Sequence, residues 1–201
     1  IMTTINNYVI TVTGIASSQN LTGIDIATTY EDEYAPSNAE FTNNGQITIN
    51  SAQSNTGTIK GINAKEMKKL TNNGDITINA TSNALITYGI YADGSVAEII
   101  NNGIIGASSG SSGTRIKYGI YVNTYNGTAN ITNTAEKIET SEVGIQVNNT
   151  NNASVTNEGS IIADGNAIIV VANKFVITNT ASLEGHGTNN GTMGTALGVG
   201  I

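Results

Sequence analysis

The chain has 201 residues, 15 acidic against 8 basic side chains, a formal net charge of −7 and no cysteine. Such an acidic balance disfavours nucleic acid, whose binding rests on neutralised phosphates, and disfavours an anionic membrane surface. Without cysteine there is no disulfide, no thiolate metal site and no thiol nucleophile.

Charged residues are only 11% of the chain, and Asn, Thr, Ser and Gly are abundant. That composition alone would suit disorder. Regularly spaced Ile and Val argue against it, because they mark repeated β-forming segments. No stretch reaches the roughly 18 apolar residues of a membrane helix. No charged-then-apolar leader opens the chain.

Residues 1–26 read as the first repeat, with Ile10 and Val12 facing inward. Residues 27–40 interrupt it. They hold the only proline, Pro36, and the run Tyr30-Glu31-Asp32-Glu33-Tyr34. Clustered carboxylates suit Ca²⁺, but no EF-hand or nonapeptide calcium spacing is present, so a solvated loop is expected and no metal or other cofactor is assigned.

From Phe41 onward three short segments recur in fixed order. The first is an apolar residue, any residue, Asn, any residue, then Gly or a small residue: 41–45, 70–74, 99–103, 131–135, 155–159 and 177–181, with a degenerate copy at 4–8. The second alternates Ile with polar residues, as at Ile47/Ile49, Ile76/Ile78, Ile105/Ala107 and Ile161/Ala163. The third is a small residue, an aliphatic, any residue, then Ala, Val or Ile: 23–26, 61–64, 89–92, 119–122, 144–147, 167–170 and 196–199. Successive first segments start 29, 29, 32, 24 and 22 residues apart.

Period-two alternation rich in Ile, Val and Thr predicts strands. Like segments recurring in one order predict that the chain coils so that equivalents stack in parallel. The expected architecture is all-β: a three-sided parallel β-helix of about seven coils, one repeat domain over residues 1–201, roughly 34 Å long at the usual strand spacing. Repeat-like sequence starts at Ile1 and Gly200-Ile201 follows the last third segment directly, so uncapped ends and a longer parent protein are expected.

The pattern predicts two interior columns. One is Phe41, Leu70, Ile99, Ile131, Val155 and Ile177; the other is Ile24, Ile62, Ile90, Ile120, Ile145, Ile168 and Leu197. Asn6, Asn43, Asn72, Asn101, Asn133, Asn157 and Asn179 share one phase. They read either as a stacked amide ladder or as residues suited to turns. Gly45, Gly74, Gly103 and Gly159 then suit a corner with φ > 0, a rule that Ala135 and Ala181 break. Lys65-Glu66-Met67-Lys68-Lys69 reads as a one-turn helix or a solvated connection, and Ser108–Lys117 as a flexible spacer. Thr134–Lys137 carries one extra residue, a candidate bulge.

Tyr91 and Tyr121 take the outward place of their third segments, in a column with Asp25, Asn63, Gln146, Ile169 and Gly198. Tyr88 and Tyr118 form a second pair. Outward tyrosines serve binding faces and also stabilise neighbouring strands. Ile169 and Val171 form a candidate exposed patch. A contact surface spanning Tyr30, Tyr34, Tyr91 and Tyr121, with the acids Glu31, Asp32 and Glu33, is the expected binding face. No catalytic residues are assigned, and an enzyme is not expected. Asp25, Asp75, Asp93 and Asp164 fall at unlike places in the repeat, Arg115 is the sole arginine, and His186 lacks a recognisable partner motif.

Asn-Asn-Gly-Asp-Ile-Thr-Ile at 72–78, followed by Tyr-Gly-Ile-Tyr-Ala at 88–92, resembles passenger domains of bacterial autotransporters, the type V secreted surface proteins of Gram-negative bacteria. The resemblance spans about residues 4–199 and carries structural motifs, not site residues. It implies a right-handed parallel β-helix held beyond the outer membrane, with membrane attachment only through a C-terminal β-barrel outside this chain. It implies adhesion or self-association, biofilm formation and virulence. The expected partners are a host-cell surface protein or glycan, or an identical passenger on another cell. A polysaccharide-processing β-helix and a passive stalk are the alternatives.

Overall fold

The computed structural model describes residues 2–28, 38–52, 55–80, 86–106, 116–124 and 127–185. The acidic run 30–34, Pro36, Arg115, His186 and the final third segment lie outside them. Among the described residues every element is a strand. The first coil supplies β1 (Thr3–Asn6), β2 (Ile10–Gly14) and β3 (Leu21–Ala27). Then come β4 (Glu40–Asn43), β5 (Ile47–Ser51), β6 (Thr58–Asn72), β7 (Ile76–Asn79), β8 (Ile86–Asn101), β9 (Ile105–Gly106) and β10 (Tyr118–Asn123). The chain continues through β11 (Thr128–Asn133), β12 (Lys137–Thr140), β13 (Val143–Asn157), β14 (Ser160–Ala163), β15 (Asn166–Asn179) and β16 (Leu183–Gly185).

All strand pairings are parallel, and partners come from successive coils. The second segments form one sheet of seven strands, β16-β14-β12-β9-β7-β5-β2, one strand per coil. The first and third segments share a nine-stranded sheet. The pairing therefore resolves the three predicted segments into two sheets. In β6, β8, β13 and β15 a third segment runs straight on into the next first segment. The fold is a parallel β-solenoid.

The predicted interior columns pair in register. Phe41 meets Leu70, then Ile99, Ile131, Val155 and Ile177. Ile24 meets Ile62, then Ile90, Ile120, Ile145 and Ile168. Members in the middle of the stack are buried; in β15, which has a described partner on one side only, Ile168 is still buried whereas Ile177 is 38% exposed. Burying each such side chain contributes about 1.5–3 kcal/mol, supplied by the neighbouring coils and by the facing seven-stranded sheet.

The aligned asparagines form the ladder. Each Nδ2 donates to the Oδ1 of the next: Asn6 to Asn43 at 2.8 Å, Asn43 to Asn72 at 2.8 Å, Asn72 to Asn101 at 2.9 Å, Asn101 to Asn133 at 2.9 Å, Asn133 to Asn157 at 2.8 Å and Asn157 to Asn179 at 2.7 Å. A second donation goes to the carbonyl two residues on, as from Asn72 to Gly74 at 2.8 Å. That carbonyl can only accept, which fixes the orientation of the amide. Asn43, Asn72, Asn101, Asn133 and Asn157 are fully buried.

The corner glycines do not adopt the expected positive φ; among described glycines only Gly94 does, at 73°. Their requirement is space. A Cβ on Gly74 would stand 1.9 Å from the carbonyl oxygen of Gly45, and one on Gly103 would stand 2.1 Å from that of Gly74. The extra residue in the fifth coil does not disturb the strands. Asn133 and Ile138 both remain in register with their neighbours, so the insertion is absorbed between Ala135 and Lys137 at the corner.

The Lys65–Lys69 segment is strand, neither helix nor solvated connection. A register shift falls between Lys65 and Met67, where Glu66 takes φ 56° and turns inward beside buried Met67. Its Oε2 accepts the Ser95 amide at 3.0 Å. A Cβ on Gly94 would meet its Oε1 at 2.0 Å. Lys68 and Lys69 stay outside, paired with Glu40 at 2.9 Å and Glu98 at 3.4 Å.

Ile90 lies between Ile62 and Ile120 with no exposure. Ile90→Asp puts an unpaired carboxylate there and is expected to cost several kcal/mol, read as an early transition in a circular-dichroism melt. Asn72→Asp keeps the acceptor for Asn43 but removes both donations and aims an anion at two oxygens. Its carboxyl pKa should rise on folding above the unfolded value of about 3.9. The native state then holds the proton longer, so the loss relative to the parent should be small near pH 3 and grow as pH rises. Equal losses in urea melts at pH 3 and pH 7 would exclude this account.

Candidate functional site

The third segments place a polar and aromatic face outward along the nine-stranded sheet. The predicted outward column is in register: Asp25, Asn63, Tyr91, Tyr121, Gln146 and Ile169 pair in succession. A second column runs through Thr22, Lys60, Tyr88, Tyr118 and Val143. Strict alternation would place the two columns on opposite faces. Two consecutive residues turn inward between them, Gly61-Ile62, Gly89-Ile90 and Gly119-Ile120, so both columns look outward until buried Val143.

The four tyrosines make one cluster. Tyr91 and Tyr121 stack with centroids 5.4 Å apart and planes within 4°. Tyr88 and Tyr118 stack at 5.2 Å and 21°. The two stacks meet edge to face, Tyr88 against Tyr91 at 4.9 Å and Tyr118 against Tyr121 at 5.6 Å. Such aromatic pairs add about 0.5–1.5 kcal/mol each beyond area burial. Carbon faces touch at about 3.5–4.0 Å. A centroid separation of 5.4 Å between near-parallel rings therefore means that they are slipped, each overlapping only part of the next.

Charges border the cluster on both sides. The Lys60 ammonium stands 3.8 Å from the Tyr91 ring centroid and donates to Asn63 Oδ1 at 3.0 Å. Asn63 in turn donates to Asp25 at 2.7 Å. Burial pulls the Lys60 ammonium below its ordinary value, with Asp25 and Asp93 opposing. On the other side Glu142 pairs with Lys117 at 3.3 Å, and Gln146 Nε2 donates to Asn148 at 3.3 Å. Burial lifts the Tyr88 phenol to about 12. Tyr118 is raised further, by burial first and then by its hydrogen bond to Glu142.

Tyr91 and Tyr121 are thus brought together, whereas Tyr30, Glu31, Asp32, Glu33 and Tyr34 lie outside the described residues. The chain enters that segment past Ala27, which pairs with Lys65, the neighbour of Asp93 two residues along from Tyr91. Ile169 is half-buried and Val171 is 38% exposed. Sequence reasoning missed the Lys60–Asn63–Asp25 chain, which only the register assembles. It also missed Glu66, which no spacing marks.

Of the acidic residues weighed for catalysis, Asp25 and Asp93 both act on the Lys60 ammonium. Asp75 accepts the Ile104 amide at 2.9 Å and Asp93 accepts that of Gly94 at 2.9 Å. Among the described residues no three His, Cys, Asp or Glu side chains gather as metal ligands. No protein-family model, curated protein or solved structure matches the chain.

Raised tyrosine pKa values give a test of burial. Between the unfolded value near 10 and the folded value of about 12 at Tyr88, the native state binds more protons than the unfolded state. Stability should therefore be intact below pH 10 and fall as pH climbs toward 12. Tyr88→Phe should flatten that decline in melts followed by circular dichroism. An unchanged slope would mean that Tyr88 ionises like a free phenol.

Proposed function

We propose that the chain is an adhesive or self-associating module displayed on the surface of a Gram-negative bacterium, in the manner of an autotransporter passenger. It meets a host-cell surface protein or glycan, or an identical module on another cell, through outward faces and loops. The observation that carries this reading is the four-tyrosine cluster on the outward face of a regular solenoid. Amphipathic rings supply large contact area at low conformational cost, and repeat proteins bind along such faces. The segment holding Tyr30, Glu31, Asp32, Glu33 and Tyr34 is proposed as the acidic margin of that surface. The resemblance of residues 72–78 and 88–92 to passenger repeats supports display at the outer membrane. Attachment is proposed to run through a β-barrel beyond this chain.

Display on a non-aggregating bacterial host tests the reading. Cells carrying the chain should sediment faster or bind host-cell monolayers several-fold better than cells carrying an unrelated β-solenoid. Tyr91→Thr with Tyr121→Thr should reverse most of the gain, since Thr suits strands and keeps the fold. Display that neither aggregates cells nor increases their binding would overturn the proposal.

A further inference from the structure

We infer that the slipped tyrosine rows and the amides beside them form a subsite for an uncharged pyranose oligosaccharide lying along the solenoid axis. The inference rests on the adhesive reading above and names the chemistry that its surface takes. A pyranose has two kinds of surface, a C–H face and a rim of hydroxyls that donate and accept. The site offers both complements. Tyr91 and Tyr121 overlap only partly, and although Tyr88 and Tyr118 pack against them, both stay half-buried, so ring surface is left for C–H contact. An amide, which also donates and accepts, follows the rings: Gln146 next to Tyr121 in the same outward column, whereas Asn63 next to Tyr91 is taken by Lys60 and Asp25.

The two ends of the tyrosine stack differ. Beyond Tyr91 the Lys60 ammonium already covers the ring at 3.8 Å. Beyond Tyr121 the next row is Gln146, whose amide turns along its own strand to Asn148. The sugar therefore stacks at Tyr121, with Gln146 and Asn148 beside it. Rows repeat at about 4.8 Å, close to the advance of one sugar residue in an extended glycan, so successive residues meet successive coils.

Charge selects the class. Lys60 is committed to Tyr91 and Asn63, and Glu142 to Lys117 and Tyr118. The local charges are thus offset within the site, while the chain as a whole carries −7. A sulfated or uronic-acid polymer gains nothing here, and a neutral one pays no charge desolvation.

The chain contains no tryptophan, so tyrosine emission is read directly. The purified chain is titrated with cellotriose, maltotriose and fully N-acetylated chitotriose, and protein-to-sugar saturation transfer is recorded by NMR. At least one trisaccharide should give saturable binding that Tyr121→Thr weakens tenfold or more. Tyr8→Thr, at a remote and exposed site, should leave it unchanged. If Tyr121→Thr melts early, Gln146→Ala must show the same loss at an unaltered melting temperature. Absence of saturable binding by all three sugars overturns the inference, as does binding indifferent to both substitutions. Adhesion that persists while all three sugars fail would point to a protein partner and leave the adhesive reading standing. Sugar binding without adhesion would sink that reading and leave the subsite.

Discussion

Parallel stacking in register imposes one condition on every position: a side chain has its own equivalents one strand spacing above and below. Apolar side chains satisfy it by burial, and the Ile and Leu columns are the result. Charges cannot satisfy it, because like charges at that distance repel. Among the described strand pairings no charged side chain meets its like in the next coil. Glu40 pairs with Lys69 and Lys69 with Glu98; Lys65 pairs with Asp93; Asp25 pairs with Asn63. The low charged fraction of the sequence follows from this condition.

The same condition governs the corners. A bent strand frees backbone groups that are buried and must be satisfied. Asparagine meets both demands at once, one amide proton going to the carbonyl of its own turn and the other to the next coil. The glycine two residues on then admits the carbonyl of the preceding coil, where a Cβ would collide. Side-chain amide and missing Cβ act as a pair at Gly45, Gly74, Gly103 and Gly159, whereas at Ala135 and Ala181 the amide ladder continues without the glycine.

Much of this was legible in the sequence because identical neighbours leave identical traces. The interior columns, the outward Tyr91/Tyr121 column and the amide ladder all follow from phase alone. Glycine at the corner was legible too, but for the wrong reason: φ is a local property, while the need for space comes from a residue about 29 positions away. Glu66 lay hidden because its burial depends on a register shift and on Gly94 in the next coil. Lys65–Lys69 reads as polar by composition, yet alternation around that shift sends Met67 inside and Lys68 out. The join between third and first segments was likewise invisible, since nothing in the residues says whether two strands are separated or continuous.

A second row of amides runs beside the buried one at the solvent surface. There Asn44 donates to Asn7, Asn73 to Asn44 and Asn102 to Asn73, at 2.7, 2.8 and 2.7 Å. These bonds point toward the N-terminal coil, whereas the buried ladder points toward the C-terminal one. The two rows are therefore antiparallel wires of bond dipoles. A single wire would leave a fixed partial charge at each tip, rather as a helix does. Paired wires of opposite sense cancel over the coils they share. Between Asn7 and Asn102, this corner therefore presents little net dipole to an ion or to a neighbouring molecule.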